Sequence, residues 1–200
     1  MARSVNPDID ADKGYKMLKD AISLNPENAW AHQTLATLKL HEGDIQTALE
    51  HAELAVIENP ANPDNLTFLS VCLAHAGDWD RALPLAQEAL DRNPDPPAIY
   101  YYSFFLKALH DNDVEAMTST AKVFTMKKNY YAKLYSYLAA IASGDETLAK
   151  ELKPHIDTLA KRNDGDIMTV IAARMPSDDL QQKARRLLAK GEALLADIDG

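Results

Sequence analysis

Small and apolar residues recur along this chain at helical spacing, and the helices they predict alternate with two kinds of stop. Over residues 28–41, Ala31, Leu35, Ala36 and Leu38 predict a first helix that Gly43 ends, because glycine takes the left-handed conformation favoured just past a helix C-terminus. Asp44 then caps a second helix carrying Ala48, Ala52 and Ala55, which runs to about Glu58. Asn59-Pro60 ends it, since the residue before proline resists helical backbone and proline has no amide hydrogen to give. The whole pattern returns 34 residues later, with a helix over 62–75, the stop at Gly77, a second helix over 78–92 with Ala82, Ala86 and Ala89, and Asn93-Pro94. Asn25-Pro26 samples the same period once more, at the end of a helix predicted from Asp10 or Asp12 to Leu24. A fixed period of this length means stacked helical hairpins.

The repeat then degenerates. A third unit, residues 97–128, has Ala116 at the small position, but Asp111-Asn112 replaces Gly-Asp, Phe104 fills the place of Ala36 and Ser70, and Lys128 replaces the closing proline. A fourth unit, residues 130–162, restores Gly144-Asp145 and Ala149, with Pro154 predicting a kink or an early break in its second helix. After the turn at residues 163–165 a short helix over 166–174 precedes a long one over 177–198, whose Leu180, Ala184, Leu187, Leu188, Leu194, Leu195 and Ile198 form one stripe. That stripe needs a cover. It caps the last repeat, folds back as a placeholder for a partner, or pairs with a second chain as a homodimer. Residues 1–9 read as a frayed lead-in, and the helix over 10–26 as the second half of a repeat, which suggests a piece excised from a longer protein.

The unit with Leu35, Gly43, Asp44, Ala48, Ala55 and Pro60, and again Leu69, Gly77, Asp78, Ala82, Ala89 and Pro94, resembles the tetratricopeptide repeat. His32 and Leu66 stand where that family has an aromatic near the start of the first helix. The resemblance implies one all-α solenoid domain over residues 1–200, with repeats at 28–60, 62–94, 97–128 and 130–162. It also implies a concave groove lined by first helices. The family's inward positions fall on Trp30, Gln33, Thr37 and His41, on Asp64, Thr67, Val71 and His75, on Tyr101, Phe105 and Leu109, and on Tyr131, Leu134 and Leu138. The groove is thus expected to turn from polar to apolar along its length. A clamp for chaperone C-terminal carboxylates is not expected, because its places hold Gln33, Thr37, Phe68, Ala98 and Tyr102. Residues 77–102 also resemble repeat regions of bacterial adenylate cyclases and transcription regulators, which suggests a regulatory or scaffolding segment of a larger bacterial protein.

Charge narrows the partner. The formal net charge is −9, and residues 1–100 carry 16 acidic against 7 basic residues while 101–200 carry 14 of each. A surface of that sign repels phosphate backbones, which argues against nucleic acid. The one cysteine, Cys72, forms no internal disulfide and no thiolate metal cage, and no apolar run reaches a membrane span, so a cytoplasmic protein without a membrane partner is expected.

Little in the sequence points to chemistry. His41 and His75 hold equivalent places about a helix diameter apart, so a shared metal would need further ligands. The Asp111-Asn112-Asp113 run lacks the glycine and the glutamate of a calcium loop. Cys72 sits among Leu69, Val71 and Leu73 as a core residue. Phosphate loops, nucleophile elbows and paired zinc motifs are absent from the sequence. The expectation is a non-catalytic module without cofactor or metal, binding a peptide or helix of apolar or amphipathic character. A small-ligand or peptide sensor using Tyr101 and Phe105, and a scaffold that self-associates through 177–198, are the alternatives.

Overall fold

In the computed structural model, which describes residues 11–129, 131–163 and 165–196, the chain is an all-α stack of antiparallel hairpins. The lead-in over 1–9 and Ile198 lie outside the described residues. The helices are α1 (Ala11–Leu24), α2 (Ala29–His41), α3 (Ile45–Glu58), α4 (Pro63–Ala76), α5 (Trp79–Arg92), α6 (Tyr102–Asp111), α7 (Val114–Met126), α8 (Ala132–Ser143), α9 (Glu146–Lys161), α10 (Ile167–Arg174) and α11 (Asp178–Ala196). A 3-10 turn, Ala98–Tyr101, leads into α6. They cluster into two compact units, Met1–Pro94 and Asp95–Gly200. Among the described residues no helix is long and apolar enough to cross a membrane.

In the first unit each hairpin is fixed by the same turn. Gly43 and Gly77 sit at φ 83° and 81°, a conformation that costs an L side chain about 1–2 kcal/mol. The amides of Asp44 and Asp78 reach back to the carbonyls of Lys39 and Leu73, at 3.0 and 2.9 Å, closing the first helix. The carboxylates of the same two aspartates then accept from the amides of Thr47 and Arg81, at 3.2 and 3.3 Å, opening the second. One Gly-Asp pair therefore reverses the chain and caps both sides of the turn. The hairpin helices cross closely because Ala48, Ala52 and Ala55 of α3, and Ala82, Ala86 and Ala89 of α5, are fully buried. The approach is near enough for the buried Ser70 hydroxyl of α4 to donate to the Ala82 carbonyl of α5 at 2.8 Å. Between repeats, Asn65 of α4 donates to the carbonyls of Ala55 and Asn59, at 2.8 and 3.1 Å, covering the end of α3.

His32 replaces an aromatic and is paired like one. Its ring stacks on His51 of α3, with centroids 5.2 Å apart. Its Nε2 lies 2.9 Å from the Pro26 carbonyl, which only accepts, so Nε2 carries the hydrogen. In the neutral pair, His32 Nδ1 then accepts from His51 Nδ1 at 2.9 Å. A second added proton would set two N–H groups against each other. Burial and then the His32 ring hold the His51 pKa below its ordinary value, against a smaller upward pull from Glu50 and with the least contribution, again downward, from Lys39.

The second unit departs from the 34-residue phase by one position. The left-handed residue is Asn112, at φ 58°, and Asp113 is the cap, accepting from Ala116 at 3.0 Å. The turn thus falls one residue later than the sequence pattern places it, because the loop after α5 holds one residue more: the N-caps Asn28 and Asn62 stand 34 residues apart, whereas Pro97, just before the 3-10 turn, stands 35 residues after Asn62. Met117, not Ala116, takes the small position and is fully buried, and Phe105, not Phe104, falls where Ser70 stood. Large side chains then fill a crossing that alanine fills elsewhere. Phe105, Phe124 and Tyr135 meet at 4.8–5.7 Å between centroids, and Tyr102 joins at 5.7 Å from Tyr135. Such contacts contribute about 0.5–1.5 kcal/mol each beyond burial.

Pro154 does not break α9, which continues to Lys161. Leu152 and Ile156 on either side of it are buried, while the proline itself is exposed, so the carbonyl it leaves without an amide can be met by water. The long helix α11 packs against α6, α8, α9 and α10. Its Leu180, Ala184 and Gly191 are buried. A Cβ on Gly191 would stand 2.5 Å from Ile141 Cδ1, so this contact admits only glycine without a shift.

Helix propensity alone predicts a gain of about 1 kcal/mol for Gly191→Ala. The contact with Ile141 reverses the sign: thermal unfolding should show a melting temperature lower by roughly 2–8 °C, equivalent to about 1–3 kcal/mol of overpacking. For the histidine pair, the folded pKa of His51 lies below the unfolded value, so the unfolded chain binds more protons. Stability should then be level above about pH 6.5 and fall as pH drops below it toward the folded pKa. His51→Asn, whose amide can still donate to His32, should flatten that slope in urea titrations.

Candidate partner-binding surface

In the first unit the inner row runs along α2 and α4, which pack against each other. Trp30, at the second position of α2, is 67% exposed. Gln33, Thr37 and His41 follow on the same helix, each half-buried. Asp64 holds the matching second position of α4 and is exposed, while Thr67, Val71 and His75 below it are buried. Local bonding sets what these groups can offer. The hydroxyls of Thr37 and Thr67 donate to the carbonyls of Gln33 and Pro63, at 3.0 and 2.9 Å, and of the two only the half-buried Thr37 oxygen keeps a lone pair within reach of a visitor. The open part of this row is therefore an indole, an amide, a threonine oxygen and a carboxylate.

The second unit places its inner-row residues differently. Phe105 and Leu109 of α6, and Leu134 and Leu138 of α8, are fully buried and have no surface to give a visitor. Phe105 lies in the aromatic cluster, rotated there by the phase shift. Both helices are covered by α11. Tyr101 and Tyr131 are half-buried. The Arg174 guanidinium lies 4.7 Å from the Tyr131 ring centre, and the Tyr102 hydroxyl donates to the Arg174 carbonyl. Burial pushes the Tyr102 and Tyr135 hydroxyls above their ordinary pKa. An open depression at the end of the α8–α9 hairpin is lined by Tyr131, His155, Thr158 and Arg162, with Lys133 donating to the His155 ring at 2.7 Å.

Sequence reasoning did not reach these arrangements. Tyr102 and Arg174 stand 72 residues apart with no motif between them. The cover over α6 and α8 had two readable signs, the apolar stripe over 177–198 that needs a cover and the glycine at 191 within it, where only close approach favours that residue. Among the described residues no three His, Cys, Asp or Glu side chains come together as a metal site would require. Cys72 is buried and its thiol is pushed up to about 12 by that burial.

The comparisons agree with this architecture. Residues 39–102 and residues 17–50 each match a family model described as Tetratricopeptide repeat. The chain is also 34% identical over 107 residues to the Photosystem I assembly protein Ycf3 of Synechococcus sp. (strain WH7803), an alignment covering 49% of this chain. It spans 62% of the length of that relative. Helical hairpins with a 34-residue period, Gly-Asp turns and an alanine crossing, together with these matches, identify residues 17–102 as tetratricopeptide repeats, a protein-interaction unit.

Proposed function

We propose that this chain is a non-catalytic interaction module that seats a peptide or helix of a partner protein on the first-helix face of residues 26–94. Trp30 carries the reading. An indole left 67% exposed at the inner register of α2 is a large apolar surface in water, and tryptophan is among the side chains that most often anchor an interface. Gln33 and Thr37 beside it supply directional polar contacts. The repeat assignment supports a protein partner. The likeness to a protein named for photosystem assembly supports a role in holding another protein while a larger structure is put together.

The other inward residues enter the proposal unequally. Phe105, Leu109, Leu134 and Leu138 are interior, so a small-ligand pocket built on Tyr101 and Phe105 has less support than a seat on the first unit. Packing of α11 within its own chain favours a capping role over self-association, since the buried side of its stripe is already occupied. The inert thiol of Cys72 supports the non-catalytic reading.

Affinity capture with the intact chain and with a Trp30→Ala, Gln33→Ala variant tests the seat. Partner recovery should drop by at least ~10-fold with an unchanged melting temperature. Leu54→Ala with Ile57→Ala, on the exposed side of α3, should leave recovery intact. Equal recovery from wild type and the Trp30 variant would refute the assignment.

A further inference from the structure

Between residues 26 and 94 the sequence holds 11 carboxylates and three cations, Lys39, Arg81 and Arg92. Each cation is already engaged. Lys39 pairs with Glu42 at 2.9 Å, Arg81 with Glu53 at 2.7 Å, and Arg92 with Glu88. Arg92 also donates to the Pro60 carbonyl. The two repeats thus present a surface of one sign, with its positive groups consumed inside it. A long-range field of that kind raises the encounter rate of positively charged partners and repels acidic ones.

The inner row adds a local feature. Trp30 and Asp64 hold the same register position in successive first helices, 34 residues apart, and both are exposed. Glu27 is exposed just before α2. An aromatic face and a carboxylate at matching positions of successive first helices are the two groups that bind an alkylammonium or guanidinium best, one through the ring quadrupole and one through charge. Beside them the Thr37 hydroxyl donates to its own helix, so its oxygen is left to accept. An arginine or lysine side chain brings donors only, which matches that set.

We infer that the partner segment seated on this face is cationic and amphipathic, with an arginine or lysine placed over Trp30 toward Asp64. The inference rests on the docking reading above and specifies the chemistry of the segment that docks. Selectivity comes from opposite charge at the mouth of the row, and affinity from the indole.

Three fluorescein-labelled helical peptides of about 20 residues serve as probes, with leucines at positions i, i+3, i+4 and i+7 and with arginine, glutamine or glutamate elsewhere. Anisotropy titrations against the full chain should show the arginine peptide binding at least ~10-fold tighter than the glutamine one, with the glutamate peptide weakest and the difference shrinking as salt shortens the screening length. Trp30→Ala and Asp64→Asn should each weaken the arginine peptide by ~5-fold or more, whereas Asp80→Asn with Asp91→Asn on α5 should change it less than twofold. Equal loss from the α5 pair would overturn the inference, since diffuse charge would then account for the binding. If the glutamine or glutamate peptide binds as well as the arginine one and Trp30→Ala abolishes it, the seat stands and its cationic preference falls. Binding of no peptide, or binding indifferent to every inner-row substitution, overturns the inference, and the second of these overturns the seat as well.

Discussion

Close crossing of paired helices is the constraint on which the first unit depends. Ala48 and Ala82 have no exposed surface, and Ser70 reaches across to a backbone carbonyl, which requires side chains of minimal size at the crossing. With the two helices of a hairpin held that near, their faces are no longer equivalent. One side of the first helix is committed to its partner, and the other side is left as a row that successive repeats extend. The Gly-Asp turn fixes the phase of that row by ending one helix and starting the next within two residues. Function lives in the side chains the row carries, while the turn and the alanines only decide where it points.

The second unit obeys the same constraint with different contents. One extra residue in the loop before Pro97 advances the phase, so Phe105 and Met117 enter the crossing and an aromatic cluster with Phe124 and Tyr135 replaces the alanines. The first helices α6 and α8 are then covered by α11, with Gly191 set against Ile141. A row that keeps Trp30, Gln33, Thr37 and Asp64 at the surface in the first unit is thus closed in the second by the chain's own helix. Within one period of sequence the same architecture changes from an offered surface to an interior.

Which parts were legible depends on range. Turn and cap residues act within five positions of themselves, so Gly43-Asp44 and Gly77-Asp78 could be placed from spacing alone, as could the ends at Pro60 and Pro94. The phase slip could not, because its extra residue falls in the proline-rich loop over 94–97, where no helical periodicity marks register, and Ala116 looked like the natural successor of Ala82. The stacking of His32 on His51 and the bond from Tyr102 to Arg174 depend on how helices meet, 19 and 72 residues apart, beyond any local pattern. Of the inner row, Trp30, Gln33, Thr37 and Asp64 were nameable by register and lie with surface exposed, while Leu134 and Leu138 share that register but are buried.

The contrast between an open row and a covered one can be read directly by hydroxyl-radical footprinting of the intact chain with mass-spectrometric readout. Trp30 should oxidise rapidly, while Phe105, Tyr135 and Leu138 should remain protected under the same dose. Oxidation of Phe105 and Leu138 at rates comparable with Trp30 would contradict the account, because it would mean that the second unit's first helices face solvent and that α11 lies elsewhere.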